Sequence, residues 1–160
     1  MTSPRTTALS QAHVLEGSGL ANANAGRADI FEMTQAAEDA VLRPREPGAW
    51  SLPLRSALAA RIARRNGEAA LCDKYVADAA NFSQLADPSV DGTEEGLVEV
   101  VSFTDKVATE TKRVGASDIA ALKDASISDE DIVRLAELNA FISYQIRVIA
   151  GLRLMAGGVA

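Results

Sequence analysis

The stretch of sequence that decides the fold is residues 128–155, SDEDIVRLAELNAFISYQIRVIAGLRLM. Its apolar side chains recur at spacings of three and four residues, which predicts one long helix over 129–155. Ser128 stands where a helix cap belongs, and Asp131 at the third position mimics the second half of a capping box. From 141 to 154 apolar residues point to every side of the axis, and a helix with that pattern is buried on every side. In a domain of this size we expect a second copy of the chain to cover it, which predicts a homo-oligomer.

Polar residues interrupt this helix too often for it to cross a membrane. They are Asn139, Gln145, Arg147 and Arg153. Arg147 has two interpretations, because a charge among apolar residues must be compensated. Either it pairs with a buried carboxylate such as Glu137 or Asp131, or it faces an anionic ligand in a pocket between helices.

Outward from this helix, the same periodicity predicts five more. They cover about 27–42, 52–65, 68–82, 93–112 and 117–124. Three residues stand at positions that favour helix caps: Ser51, Thr93 and Ser117. The helices over 52–65 and 68–82 form a pair, because Asn66-Gly67 between them tolerates the positive φ that ends a helix. The prediction is a single all-α domain of about six helices over residues 27–160.

Residues 1–26 precede this domain and show no sustained period. Their Thr, Ser, Asn and Gly content predicts an extended or partly disordered arm. A short apolar group within the arm, Val14, Leu15 and Leu20, is available to dock on the core or on a neighbouring subunit.

Composition supports helices and narrows the classes of function. Alanine supplies 30 of the 160 residues and aromatic residues only 4%, a mix that favours close-packed helices over sheets. The net charge of −6 repels phosphate backbones, so we expect no nucleic-acid partner. With only Cys72 and His13 of their types, the chain has neither an internal disulfide nor the usual ligands of structural zinc, and we expect no cofactor. Because no apolar run of secretory or membrane-spanning length occurs, we expect a cytoplasmic protein without a membrane partner.

Two parts of the chain carry a family resemblance. In residues 114–154, a short helix, an Ile-Ser-Asp-Glu-Asp-Ile cap and a long helix follow one another. The long helix ends in a characteristic segment with Phe141, Tyr144, Gln145, Arg147 and Ala150. With the helix pair over 52–80, this order resembles the carboxymuconolactone decarboxylase and alkylhydroperoxidase-D-like (AhpD-like) superfamily over about 51–157. The resemblance implies an AhpD-like helical protomer that assembles as dimers, trimers or hexamers, and a function related to peroxidases.

The chain departs from the redox motif of that superfamily. Peroxidase members carry Cys-x-x-Cys-x-x-x-His after an Asn-Gly-like break, with a glutamate upstream. None of the four residues matches when the motif is laid on Asn66-Gly67, where they fall on Glu68, Leu71, Tyr75 and Ser56. Cys72 lies one place beyond the thiol position, so a helix rotates it away by about 100°. The resemblance therefore implies a peroxidase-related protein in which dithiol peroxidase activity is absent or reduced.

The candidate site residues are Cys72, Glu68 and Tyr75, which share one broad face of the second helix of the pair. Cys72 is either a one-cysteine reductant, oxidised to sulfenic acid and restored by an external thiol, or a buried small hydrophobe. Glu68 and Tyr75 form a general acid–base pair if the chain resembles the decarboxylases and hydrolases of the superfamily. Otherwise Glu68 stabilises the positive end of its helix, and Tyr75 packs in the core with its hydroxyl satisfied.

Three functions therefore stay open on the sequence alone. One is a peroxidase-related oxidoreductase, and another is a non-redox helical oligomer that binds a small molecule or a partner protein. The third is an acid–base enzyme that works without thiols.

The reactivity of the thiol depends on what folds beside it. The acidic neighbours Glu68 and Asp73 disfavour a thiolate at Cys72, so we expect slow alkylation. An arginine of the preceding helix would reverse this expectation if it lay against the sulfur; the candidates are Arg61, Arg64 and Arg65.

Overall fold

The computed structural model describes residues 5–157, and all regular structure in that range is helical. The range contains eight α-helices and two 3₁₀ helices, which confirms the all-α prediction but exceeds the predicted number of about six. The α-helices are α1 (Thr7–Gln11), α2 (Gly19–Ala25), α3 (Ala28–Leu42), α4 (Leu52–Arg65), α5 (Ala69–Val76), α6 (Val98–Glu110), α7 (Ala116–Asp124) and α8 (Asp129–Met155). The 3₁₀ helices are Ala80–Ala86 and Thr111–Arg113.

The predicted bounds are confirmed to within a residue for α3, α4 and α8. At the start of α4 the Ser51 hydroxyl accepts a hydrogen bond from the Leu54 amide. The start of α8 is built in the same way, with the Ser128 hydroxyl accepting from the Asp131 amide. These ends depend on local capping chemistry, which is why the sequence alone predicts them.

α4 is the central helix and contacts α3, α5, α6 and α8. Its middle is fully buried over residues 57–60, as are Ile62 and Ala63. Most of these buried positions are alanine, whose small side chain lets neighbouring helices approach closely and loses no rotamer entropy on burial.

Two buried arginines of α4 hold the loops on either side of it. Arg55 donates hydrogen bonds of 2.8 to 2.9 Å to three backbone carbonyls, those of Val41, Pro47 and Trp50. Gly48 in the same loop has a φ of +63°, and a Cβ there would lie 2.2 Å from Asp131 Oδ1. The loop before α4 therefore needs glycine at this position. Arg61 holds the loop that follows the 3₁₀ helix Ala80–Ala86.

The second helix of the predicted pair is shorter than its sequence indicates. It was predicted over 68–82, but α5 ends at Val76. Ala80 then adopts a φ of +47° and leads into the 3₁₀ helix. The prediction that the α-helix continues beyond Val76 is wrong, because the helix propensity of alanine is a weak preference that tertiary packing overrides.

The helix predicted from Thr93 begins later, as α6 at Val98. A turn precedes it, in which the Leu97 amide donates to the Gly92 carbonyl and Gly92 takes a φ of +80°. A cap prediction is also wrong at α7, because Gly115 occupies the cap position and its amide donates to Asp118, whereas Ser117 lies inside the helix.

The predicted arm, residues 1–26, contains α1 and α2 in its described part rather than extended chain. The Thr6 hydroxyl caps α1 by accepting from the Leu9 amide. The core-facing residues of this segment are Ala8, Leu9 and Ala12. Within the predicted apolar group, Val14 and Leu20 pack against the core, whereas Leu15 is 76% exposed. Residues 1–4 and 158–160 lie outside the described range.

The second half of α8 is largely covered by its own chain. Ile142, Ile146 and Ile149 are buried, and α8 contacts α1, α3, α4, α6 and α7. Tyr144 and Leu154 remain exposed. Much of the cover that the sequence assigns to a second copy thus comes from within the chain, and the homo-oligomer stays a prediction. None of the helices described in residues 5–157 is long and apolar enough to span a bilayer.

Candidate functional site

The thiol of Cys72 lies in the core, where the residue is 0% exposed. Arg64, near the end of α4, donates a hydrogen bond from Nε to Cys72 Sγ at 3.3 Å. An arginine of the preceding helix therefore does lie beside the sulfur. Burial of the residue keeps reagents in solution away from this contact.

Glu68 immediately precedes α5 and forms a salt bridge instead of a helix cap. Its Oε1 lies 2.8 Å from Arg153 Nη1, and its side chain makes no cap hydrogen bond. Arg153 also donates to the Gln11 carbonyl from Nη2, at 3.0 Å, and from Nε, at 3.3 Å. We call Glu68, Arg153 and Gln11 the Arg153 clasp; it connects the start of α5, the end of α8 and the end of α1.

Tyr75 belongs to a buried polar cluster with Glu38 and Gln145. Its hydroxyl lies 3.2 Å from Glu38 Oε1 and 2.5 Å from Gln145 Oε1, and Gln145 Nε2 donates to Glu38 Oε2 at 2.7 Å. Burial and the nearby Glu38 carboxylate raise the pKa of Tyr75 well above its usual range. The hydroxyl therefore stays protonated, packed in the core with its hydrogen bonds made, as in the structural interpretation of this residue.

The three predicted site residues have separate partners rather than a common one. Glu68 faces Arg153, Cys72 faces Arg64, and Tyr75 faces Glu38 and Gln145. No hydrogen bond within residues 5–157 joins the side chains of Glu68 and Tyr75, and neither they nor Cys72 line the cavities described below. An acid–base pair of Glu68 and Tyr75 is thus not assembled.

Arg147 does not pair with a buried carboxylate, so that prediction is wrong. It is exposed, and its one hydrogen bond in the described range runs from Nη1 to the Ser143 carbonyl at 3.4 Å. Asp131 is instead paired with Arg134 at 3.0 Å. The polar residue that is buried in this part of α8 is Gln145, two positions before Arg147.

A cavity of about 570 Å³ lies between the segment with α1 and α2 and two residues of other helices, Gln35 of α3 and Lys74 of α5. We call it the N-terminal cavity. Its volume is within the range of small-molecule sites in proteins. The apolar lining residues are Leu9, Val14 and Ala21. The polar and charged ones are Arg5, Thr6, Thr7, Ser10, Gln11, Glu16, Gln35 and Lys74.

Several polar groups at this cavity have no partner in the described part of the chain. Thr7 is only 8% exposed, and its hydroxyl makes no hydrogen bond among residues 5–157. Gln11 Oε1 is a buried acceptor with no described donor. Arg5 and Lys74 form no ion pair with any described residue; Lys74 Nζ lies 5.9 Å from the centre of the Tyr75 ring. Buried polar groups in proteins are normally hydrogen-bonded, so such groups at a cavity indicate room for a ligand or water.

Two other cavities offer less for recognition. One of about 640 Å³ is lined by Arg61, Arg65 and Lys106, whose charges already pair with Asp105 and Asp118. The other, of about 220 Å³, lies beside Trp50 and is mostly apolar. In residues 5–157 no group of three or more His, Cys, Asp and Glu side chains is arranged to hold a metal ion.

The sequence contains one signal for α1, the helix that lines the N-terminal cavity. Thr6 followed by Ala8, Leu9 and Ala12 has the cap and the three- and four-residue spacing of a helix. The helix spans only Thr7–Gln11, too short for the pattern to stand out from its polar surroundings. Gln35 and Lys74 come from distant parts of the chain, and only the tertiary fold brings them to the same cavity.

No family model, no curated protein and no solved structure matches this chain. The resemblance to the AhpD-like superfamily therefore stays a prediction. Three observations remain to choose between the open functions: a single buried thiol, a Glu68 and a Tyr75 with separate partners, and a cavity with unpartnered polar groups.

Proposed function

We propose that this chain is a non-redox helical protein that binds a small molecule in the N-terminal cavity. The observation that carries the proposal is Gln11 Oε1, a buried acceptor of a residue that lines the cavity, which has no donor within residues 5–157. A buried acceptor without a hydrogen bond costs free energy, about 1 to 3 kcal/mol. A ligand that supplies the missing bond recovers it.

The lining has the mixture that small-molecule sites use. An apolar side formed by Leu9, Val14 and Ala21 supplies hydrophobic contact. A few polar groups fix the orientation of a ligand, and Thr7 and Gln11 are available for this role.

The walls of the cavity are held in place at both ends of α1. At the start of α1, the Thr7 amide donates to Gln35 Oε1 of α3 at 2.8 Å. At its end, the Arg153 clasp holds the Gln11 carbonyl. A site that exists before the ligand arrives loses less conformational entropy on binding.

A second candidate is the peroxidase-related oxidoreductase that the family resemblance implies. The contact between Arg64 Nε and Cys72 Sγ favours it, because reactive cysteines lie beside cationic groups such as this guanidinium. With one thiol in the chain, the resulting sulfenic acid would need an external thiol to reduce it. The AhpD-like fold belongs to the same resemblance, the homo-oligomer also to the apolar residues 141–154, and the cytoplasmic location to the lack of a long apolar run; each stays a prediction.

Ligand-observed NMR on the full chain tests binding in the cavity. The panel consists of organic carboxylates, amines, amino acids and neutral polar compounds small enough for about 570 Å³. Ser10 lines the cavity from an exposed position on α1, so Ser10→Trp places an indole in it without disturbing the core. Ser117→Trp, at an exposed position of α7, is the matched control. We expect compounds that bind the wild type and Ser117→Trp but not Ser10→Trp; a panel without any such compound contradicts the proposal.

Peroxide turnover with an external thiol separates the two candidates. Non-redox binding predicts equal, background rates for the wild type and Cys72→Ser. A rate that is lost only in Cys72→Ser would instead support the oxidoreductase.

A further inference from the structure

We propose that the ligand of the N-terminal cavity is a zwitterion, with a carboxylate beside Arg5 and Lys74 and an ammonium group beside Gln11. The inference rests on the proposed function, because it assigns the chemical class of the ligand to that same cavity. It follows from which polar groups of the lining lie at each end of α1.

The two cations lie at the end of the cavity where α1 begins. The Thr7 amide is bonded to Gln35, so the start of α1 lies against that turn of α3. One turn further along α3, Glu38 is bonded to Tyr75, the residue after Lys74. Lys74 and the start of α1 therefore lie beside the same short stretch of α3. Arg5 precedes Thr7 by two residues and lines the same cavity.

An anion is the group that this end of the cavity lacks. Neither Arg5 nor Lys74 has a carboxylate partner in residues 5–157, and the Thr7 hydroxyl there is a free donor. Two cations and a hydroxyl match a carboxylate, which accepts several hydrogen bonds and carries the opposite charge.

The opposite end offers acceptors instead. Gln11 lies one turn further along α1, and its Oε1 is buried without a described donor. The Arg153 clasp places Gln11 near the start of α5, away from Lys74 at the other end of that short helix. Glu16 is the carboxylate that lines the cavity, and we assign it to this end because it forms no ion pair with Arg5 or Lys74 among the described residues. Acceptors of this kind match an ammonium group, which has three donors and no acceptor.

The spacing of the two ends sets the length of the ligand. From Thr7 to Gln11 is four residues, which corresponds to a rise of about 6 Å along a helix. An extended carbon chain advances about 1.2 Å per bond, a third of the rise of an extended residue, so the six bonds from the nitrogen to the carboxyl carbon of a five-methylene chain span about 7 Å, close to this rise. We therefore choose 6-aminohexanoate as the probe, with hexanoate and hexylamine as its singly charged counterparts.

Isothermal titration calorimetry of the full chain compares the three probes. We expect 6-aminohexanoate to bind at least about ten-fold more tightly than either counterpart, because each end adds a charge-assisted hydrogen bond. Equal affinity for hexanoate or for hexylamine would overturn the zwitterion while leaving a small-molecule site. Binding of none of the three, with another compound of the panel still lost in Ser10→Trp, would overturn the ligand class and leave the proposed function intact. If no compound at all binds, both fail.

Two variants test which end of the cavity binds the carboxylate and which end binds the ammonium group. Lys74→Met should weaken 6-aminohexanoate and hexanoate about ten-fold and leave hexylamine unchanged. Glu16→Gln should weaken 6-aminohexanoate and hexylamine but not hexanoate. Lys112→Met removes an exposed lysine that does not line the cavity and should change none of the affinities. Equal losses in Lys74→Met and Lys112→Met would show a general charge effect and overturn the inference.

Discussion

Arg61 of α4 and Asp105 of α6 form a two-point ion pair in the interior of the protein. Nε and Nη2 of Arg61 lie 2.6 and 2.7 Å from the two carboxylate oxygens of Asp105. The arginine is 1% exposed. It also donates to the Leu85 carbonyl in the 3₁₀ helix Ala80–Ala86 and to the Asp87, Pro88 and Val90 carbonyls of the loop that follows. One side chain thus joins two helices and a loop.

Replacement of Arg61 should be strongly destabilising. Arg61→Ala leaves the buried Leu85 carbonyl, three partly buried loop carbonyls and part of Asp105 without this donor, so we expect a loss of about 3 to 5 kcal/mol in the free energy of unfolding. Arg65 pairs with the same carboxylate but has a 31% exposed side chain. Arg65→Ala should therefore cost no more than about 1 kcal/mol. Urea unfolding of both variants measures the difference, and similar losses would contradict the role assigned to Arg61.

The same pair predicts how stability depends on pH. Burial by itself would raise the pKa of Asp105, but hydrogen bonds and charges from Arg61 and Arg65 outweigh it, and the net pKa is lowered. A carboxyl whose pKa is lower in the folded state stabilises fully above its unfolded value of about 3.9, and that contribution is lost as pH falls through the folded value. We expect the free energy of unfolding to decrease as the pH is lowered below about 4. In Asp105→Asn it should decrease less steeply over the same pH range. An unchanged slope in the variant would refute the assignment.

Some parts of this structure could be predicted from the sequence and others could not, for physical reasons. α4 and α8 have long apolar stripes and serine caps, both of which are local properties. α1 is a single short helix, and packing against α3 and α8 rather than propensity accounts for its stability. Periodicity also cannot tell Gln145, which is buried, from Arg147, which is exposed, in a helix that is apolar all round.

In the candidate site, too, local positions could be predicted from the sequence, whereas tertiary contacts could not. Cys72, Glu68 and Tyr75 could be placed on one helix face from their spacing, but which partner each one meets is set by α3, α4 and α8. The sequence does not single out Lys74, because an exposed lysine between Asp73 and Tyr75 has no distinctive pattern. Its proximity to Thr7 depends on how α1 folds back on α3.

The buried polar cluster should contribute measurably to stability. Tyr75→Phe removes the hydroxyl that bridges Glu38 and Gln145, and we expect a loss of about 1 to 3 kcal/mol. Tyr144→Phe is the matched control, since its hydroxyl lies 3.2 Å from Thr34 Oγ1 but the residue is 44% exposed. That change should stay within about 0.5 kcal/mol. Thermal and urea unfolding report both values, and a neutral Tyr75→Phe would show that the cluster is not a stabilising element.

Cys72 should be protected from modification in the folded protein. Because the residue is fully buried, we expect iodoacetamide to label it at least about 100-fold more slowly than in urea-unfolded protein. The double variant with Cys72→Ser and Ser117→Cys has its one thiol at an exposed position of α7. It gives the labelling rate of an accessible cysteine. Native labelling of Cys72 at that rate would mean that the core opens readily beside Arg64, and would favour the oxidoreductase over the binding protein.

The most direct test of the account is a map of backbone amide chemical shifts during titration of the full chain with the compounds retained from the panel. The account predicts that shifts concentrate at the lining of the N-terminal cavity, at Thr7, Gln35 and Lys74, and that they vanish in Ser10→Trp. Shifts centred instead on Arg64 and Cys72, or no shifts at the cavity with any compound, would contradict it.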